Sequence, residues 1–174
     1  SVNLLRNTNY LPMGFMVKSD LLNYDISTLP ATDPIENQNY YFRLATGFVG
    51  DLYEDIETVS ESSSMVKAVA PRDGVAVAYC TASQREAYDV TVNRTYVTNE
   101  ETGETKTISE KANIQRPYIM MIGTVKAGHS LWVSSGSGTI SGRILMFNED
   151  LFQKAYEQFS RSALQAEEVS DSCI

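Results

Sequence analysis

The sequence predicts a mainly β chain: an antiparallel β-sandwich with about two flanking α-helices. Three observations carry that expectation. Apolar and polar residues alternate along short segments, as in Tyr88, Val90 and Val92 against Asp89, Thr91 and Asn93, the period-two pattern of a half-buried strand. Clusters rich in Gly, Pro, Asp and Ser separate these segments, each residue type favouring chain reversal. Towards the C-terminus the apolar period changes from about two to about 3.6, the helical value. Roughly seven strands and two helices result, and the turn pattern leaves a jelly-roll topology open.

In chain order, residues 10–18 set Met13, Phe15 and Val17 against Gly14 and Met16. This predicts a strand, with Gly14 marking a bulge or a close backbone approach. Residues 19–32 read as a connection with a short helical turn at 21–24. Residues 33–47, DPIENQNYYFRLATG, form the clearest helix of the first half. Asp33 can accept from the free amides of the first turn. Pro34 suits the first helical position, Glu36 stands where an approximate capping box needs it, and Gly47 offers a left-handed stop. Residues 51–61 read as a loosely patterned strand, 60–64 (SESSS) as a polar loop, and 65–70 as a renewed apolar stretch. APRDG at 70–74 is a turn.

Strands follow at 75–81, with both faces covered, and at 87–98. The acidic run NEETGETK at 99–106 reads as a hairpin tip, with a return strand at 105–109. Residues 113–124 give an apolar strand entered through Pro117. A turn at 125–129, a strand at 130–134, a loop at 135–138 and a last strand at 139–147 complete the β region. Asn148 can cap the second helix, and Glu149 and Asp150 suit its positive end. Phe152, Ala155, Tyr156, Phe159 and Ala163 fall on one helical stripe to about residue 164. The polar, acidic residues 165–174 could begin a further strand, and the chain reads as a piece of a longer protein.

With 174 residues, of which 43% are hydrophobic, the chain suits a single domain with a sizeable core. A formal net charge of −8 argues against a broad phosphate-binding surface, so nucleic acid is not an expected partner. No apolar run approaches the ~20 residues of a membrane span, and the first ten residues lack a signal-peptide pattern. Two cysteines, Cys80 and Cys173, allow one disulfide but make no framework. Cys80 follows Val75, Val77 and Tyr79 in a strand and reads as a small buried hydrophobe.

The residues give no catalytic constellation and no call for a cofactor or a metal. The single histidine, His129, lies in a turn, which supports neither a triad nor a multi-histidine metal site. Asp51, Glu54, Asp55 and Glu57 cluster locally, as do Glu100, Glu101 and Glu104. A glycosidase needs carboxyls opposed across its substrate, so both clusters read as solvated surface. A calcium site at 51–57 lacks the glycine of an EF-hand loop. GSGTISG at 136–142 has no following Lys-Ser/Thr and leads into a strand, unlike a phosphate loop. Asn93-Arg94-Thr95 is a glycosylation sequon by form. Trp132 with Tyr79, Tyr88, Tyr96 and Tyr118 could make a sugar-stacking platform or furnish the core, with Leu131 and Val133 marking the Trp132 strand as buried. The amides Asn37, Gln38 and Asn39 could contact a glycan or satisfy loop backbone.

The runs NYLPMGFMV and DPIENQNYYFRLATG resemble segments of the YfhO family of bacterial multispanning membrane proteins. Leu11, Pro12, Gly14 and Phe15 match that family's Tyr-x-Leu-Pro-x-Gly-Phe type strand. Pro34, Glu36, Asn37, Gln38, Asn39 and Gly47 match its x-Pro-Phe-Glu-Asn-Gln-Asn type helix, which ends in Leu-Thr-Gly. Ile35 replaces an aromatic residue there, and Ala45-Thr46 replaces the usual ending. IGTVKAGHSLWV resembles the family's Gly-x-x-x-x-Gly strand pair at Gly123 and Gly128. The match is detailed over the first 47 residues and holds beyond them only in order. It implies a non-catalytic extracytoplasmic domain on the outer face of the cell membrane. The whole protein would be a membrane glycosyltransferase that decorates envelope polymers such as teichoic acids from lipid-linked sugars. Its implied partners are the membrane-spanning part of the same protein and cell-envelope glycan. A carbohydrate-binding module of a secreted or surface protein is the alternative, and an enzyme built on Asp/Glu pairs a third reading.

Overall fold

The computed structural model of the chain describes residues 11, 14–25, 27, 33–82, 88–99, 101–114, 118–136 and 139–171. It divides into two compact units, Tyr53–Asn148 and the paired segments Ser1–Leu52 and Glu149–Ile174. Among the described residues the first unit holds nine strands: β1 (Tyr53–Asp55), β2 (Thr58–Ser62), β3 (Met65–Val69), β4 (Gly74–Ala82), β5 (Tyr88–Asn99), β6 (Glu104–Ile114), β7 (Tyr118–Val125), β8 (Ser130–Ser135) and β9 (Ile140–Phe147). They form one antiparallel sheet ordered β1-β9-β4-β7 and another ordered β2-β3-β8-β5-β6.

The chain is mainly β and this unit is a β-sandwich. With β2 set aside, β1 pairs with β9, β3 with β8, β4 with β7 and β5 with β6. The pairing is nested from the outermost strands inward and divided over two sheets, which is a jelly roll. β2 is an additional edge strand joined to β3 by a tight hairpin.

Between the sheets lies one apolar core. Ala76, Ala78 and Cys80 of β4, Met120 and Ile122 of β7, and Ile144 and Met146 of β9 meet Ala68, Leu131 and Val133 of the other sheet. Val77, Tyr79 and Leu145, of opposite phase, are buried as well, as the continuous apolar run at 75–81 predicts. The register of β4 against β7 shifts between Ala76 and Val77, beside Gly123 at φ +108°. The bulge receives Arg94 of β5, whose Nη1 donates to the Thr124 carbonyl. A Cβ on Gly123 would stand 3.0 Å from Arg94 Cζ.

The second unit is helical. A 3₁₀ turn spans Ser19–Asn23, α1 spans Pro34–Thr46 and α2 spans Glu149–Asp171. Asp33 Oδ1 accepts from the Ile35 and Glu36 amides, both at 3.1 Å. Gly47 closes α1 at φ 73°, its N–H donating to Arg43 O at 2.8 Å. Ile35, Phe42 and Ala45 supply the buried face of α1. Gln158 Nε2 of α2 donates to Thr46 O at 3.1 Å, which ties the two helices.

Several expectations need correction. Residues 14–18 form no strand: Lys18 N–H instead donates to Ala45 O at 2.9 Å, and these residues are exposed. Alternation requires a neighbouring strand before it becomes a ladder, and none lies there among the described residues. At Gly14 an added Cβ would meet nothing within 4 Å, so the glycine marks neither a bulge nor a close approach. The single strand expected at 51–61 is two, β1 and β2, broken where the chain crosses between sheets at Ile56-Glu57. β2 also takes in residues expected in the 60–64 loop. Helix α2 continues to Asp171, past residue 164, because QAEEVSD contains no glycine or proline to end it. Cys173 lies outside the described residues.

Candidate functional site

The amide run of α1 does not act as a unit. Successive helical residues point about 100° apart, so three in a row cannot share a face. Asn39 turns inward and is 3% exposed, which makes it the structural member. Gln38 is exposed and Asn37 half-buried. These two line a depression of about 340 Å³ with Tyr24, Tyr41, Phe42 and Leu52.

The walls follow from helix spacing. Tyr41 stands four residues after Asn37 and three after Gln38, the two spacings that bring side chains together on a helix surface. Tyr24 comes from the connection preceding α1. Its ring meets Tyr41 edge-on, centroids 5.3 Å apart at 89°, and Tyr40 at 6.0 Å. The Oδ1 of Asn37 is buried without a hydrogen-bond partner among the described residues, and the backbone N–H of the same residue donates to Asp33 O. None of the six lining residues is charged. The site is therefore a small neutral hollow with aromatic walls and one exposed amide, the Asn37 oxygen being buried out of reach of solvent. Sequence reasoning found Asn37 and Gln38 and missed Tyr41, which i+3/i+4 spacing signals, and Tyr24, which only the tertiary fold reveals.

Trp132 lies in the other unit, on β8 of the five-stranded sheet. Its neighbours Leu131 and Val133 are buried at 0% and 1% while Trp132 is half-buried. It therefore takes the sheet's outer face, in register with Lys67 and Asn93, and is not a core residue. Tyr79 and Tyr118 belong to the four-stranded sheet, and Tyr88 and Tyr96 to the five-stranded one. The five aromatics do not share one sheet, so the single stacking platform is not formed. Asn93 is 5% exposed and accepts from Ser109 Oγ at 2.6 Å, so its amide is built into the sheet.

Three of the carboxylates expected as solvated surface pair with arginines. Asp51 pairs with Arg43, which also holds Glu36. Glu54 pairs with Arg72 at 2.6 Å and accepts from Asn148. Asp55 pairs with Arg143. A larger hollow of about 840 Å³ near Asp55, Glu57 and Lys67 thus includes a carboxylate already engaged. His129 closes a turn, its Nδ1 3.4 Å from the Lys126 N–H. In the adjoining turn the Ala127 N–H and Lys126 ammonium hold the exposed Asp73 carboxyl below its ordinary value. Burial pushes the free Cys80 thiol up to about 12, an unreactive setting. Among the described residues no group of His, Cys, Asp and Glu could hold a metal ion.

No protein family, curated protein or solved structure matches this chain. No helix among the described residues is long and apolar enough to cross a membrane.

Proposed function

We propose that this chain is an extracytoplasmic domain of a YfhO-like membrane protein that glycosylates cell-envelope polymers from lipid-linked sugars, and that the domain itself does no chemistry. One observation carries the reading. The Glu-Asn-Gln-Asn helix on which the resemblance rests also presents Asn37 and Gln38 to an aromatic, uncharged hollow, a surface suited to hydroxyl-rich polymer. The domain works on this reading by contacting envelope glycan beside the membrane-spanning part of the same protein. Hydropathy of the complete open reading frame tests the assignment. Runs of about 20 apolar residues flanking the segment are expected, and a reading frame without any overturns it. The second reading, a glycan-binding module of a secreted or surface protein, draws on the same hollow and takes over in that event.

A further inference from the structure

We propose that strand β6 pairs with β6 of a second copy of this chain, antiparallel about a two-fold axis at Ile108, so that two five-stranded sheets become one. The inference rests on the sheet edges and does not depend on the proposed function. An edge strand offers unpaired backbone N–H and C=O groups to any extended chain, and proteins blunt such edges with short strands, bulges, proline or charge. The two sheets end in β1, β7, β2 and β6. β1 has only 3 residues. β2 has 5 and carries a register shift between Ser60 and Ser62. β7 bulges beside Gly123, and Arg94 already donates to its Thr124 carbonyl. β6 has no such backbone guard. It runs for 11 residues, ETKTISEKANI, without glycine or proline, and its ladder with β5 is unbroken from Thr105 to Ile114. Its other side meets no strand among the described residues. Residues 101–107 and 109–111 are exposed, and Ile108 is half-buried.

What guards β6 is charge, and the charge pattern selects the partner. Lys106 and Glu110 make no ion pair with any described residue. They share one face of the strand, roughly 13 Å apart, too far to pair within one chain. A two-fold axis perpendicular to the sheet keeps like faces together, so it must pass through a residue position. With the axis at Ile108, Lys106 of each copy lies opposite Glu110 of the other. Ile108 then meets Ile108, and Thr107 meets Ser109. The Ser109 hydroxyl donates to Asn93 Oδ1 at 2.6 Å and can still accept from Thr107. Neighbouring registers lose this match. An axis at Thr107 opposes Glu104 to Glu110, and one at Ser109 sets Glu110 against Ile108. Axes at Lys106 and Glu110 bring like charges face to face. The edge is therefore complementary to itself in one register, which commits it to a second copy over an arbitrary extended segment.

The test follows self-association of the 174-residue chain by sedimentation velocity from about 10 μM to 1 mM, with amide hydrogen exchange read at both ends of that range. A reversible dimer is expected, with slower exchange in β6 at the higher concentration. Lys106→Glu and Glu110→Lys each turn both charge contacts repulsive, and each is expected to weaken dimerisation about tenfold or more. An equimolar mixture of the two variants opposes unlike charges again and is expected to restore the dimer. Both positions are exposed, so each variant is expected to keep the melting midpoint of the unaltered chain at low concentration. A chain monomeric throughout, single variants that associate like the unaltered chain, or a mixture that fails to recover would overturn the proposal.

Discussion

Gly123 shows how one residue sets the course of a sheet. Its backbone stands at φ +108°, a region costly for residues with a Cβ. The space its missing side chain leaves is filled by Arg94, whose guanidinium reaches across to the Thr124 carbonyl. Gly123→Ala therefore meets two penalties, backbone strain and a contact of 3.0 Å to Arg94 Cζ. A loss of roughly 1–3 kcal/mol is expected, read as a lower urea midpoint at unchanged slope. A second residue, Cys80, sits at 0% exposure in the core. Burial pushes its thiol from an ordinary value of 9.0 up to about 12. The unfolded chain releases that proton first, so the contribution is complete below pH 9 and is lost as pH rises towards 12. Stability is expected to fall over that interval with a slope approaching about 1.4 kcal/mol per pH unit. Chemical denaturation at stepped pH checks this, with Cys80→Ala lacking that component.

Helix α1 is the element most fully written in the sequence. Its cap, its first-turn proline and its glycine stop all occupy the positions their chemistry assigns. Asp33→Ala removes an acceptor shared by two amides and is expected to cost roughly 0.5–2 kcal/mol, measured by thermal or urea unfolding. The β5–β6 hairpin was equally legible, because Gly103 follows a cleanly alternating strand; the turns at 70–74 and 125–129 were read as turns, but each carries the chain from one sheet to the other. Residues 14–18 were not legible: their alternation is real, but a strand exists only beside a partner, and Lys18 is instead tied to the end of α1. Of the candidate site only Asn37 and Gln38 were singled out in the sequence. Tyr41 and Phe42 share their helix and a local spacing, whereas Tyr24 and Leu52 join them through tertiary structure. Trp132 was misplaced because its buried neighbours were taken to mean a strand buried on both faces. At period two, buried neighbours put Trp132 on the opposite face.

At the scale of the whole molecule, the fold class follows from patterning, while the jelly-roll nesting depends on which distant strands pair. Turn chemistry fixes neighbours such as β5 and β6. It is silent on β1 with β9 and β3 with β8, and these long-range pairs carry the topology. Asp51, Glu54 and Asp55 pair with Arg43, Arg72 and Arg143, pairs that leave the acidic balance of −8 unchanged. The central claim, that this domain faces the outside of a bacterial membrane, is tested most directly by labelling. Val49 is 96% exposed, so a Val49→Cys substitution in full-length protein lacking Cys173 offers an accessible thiol against the buried Cys80. A membrane-impermeant maleimide applied to intact cells, or to spheroplasts where an outer membrane would block it, is expected to label Val49→Cys and spare the parent. Labelling only after lysis of the cytoplasmic membrane would contradict the claim.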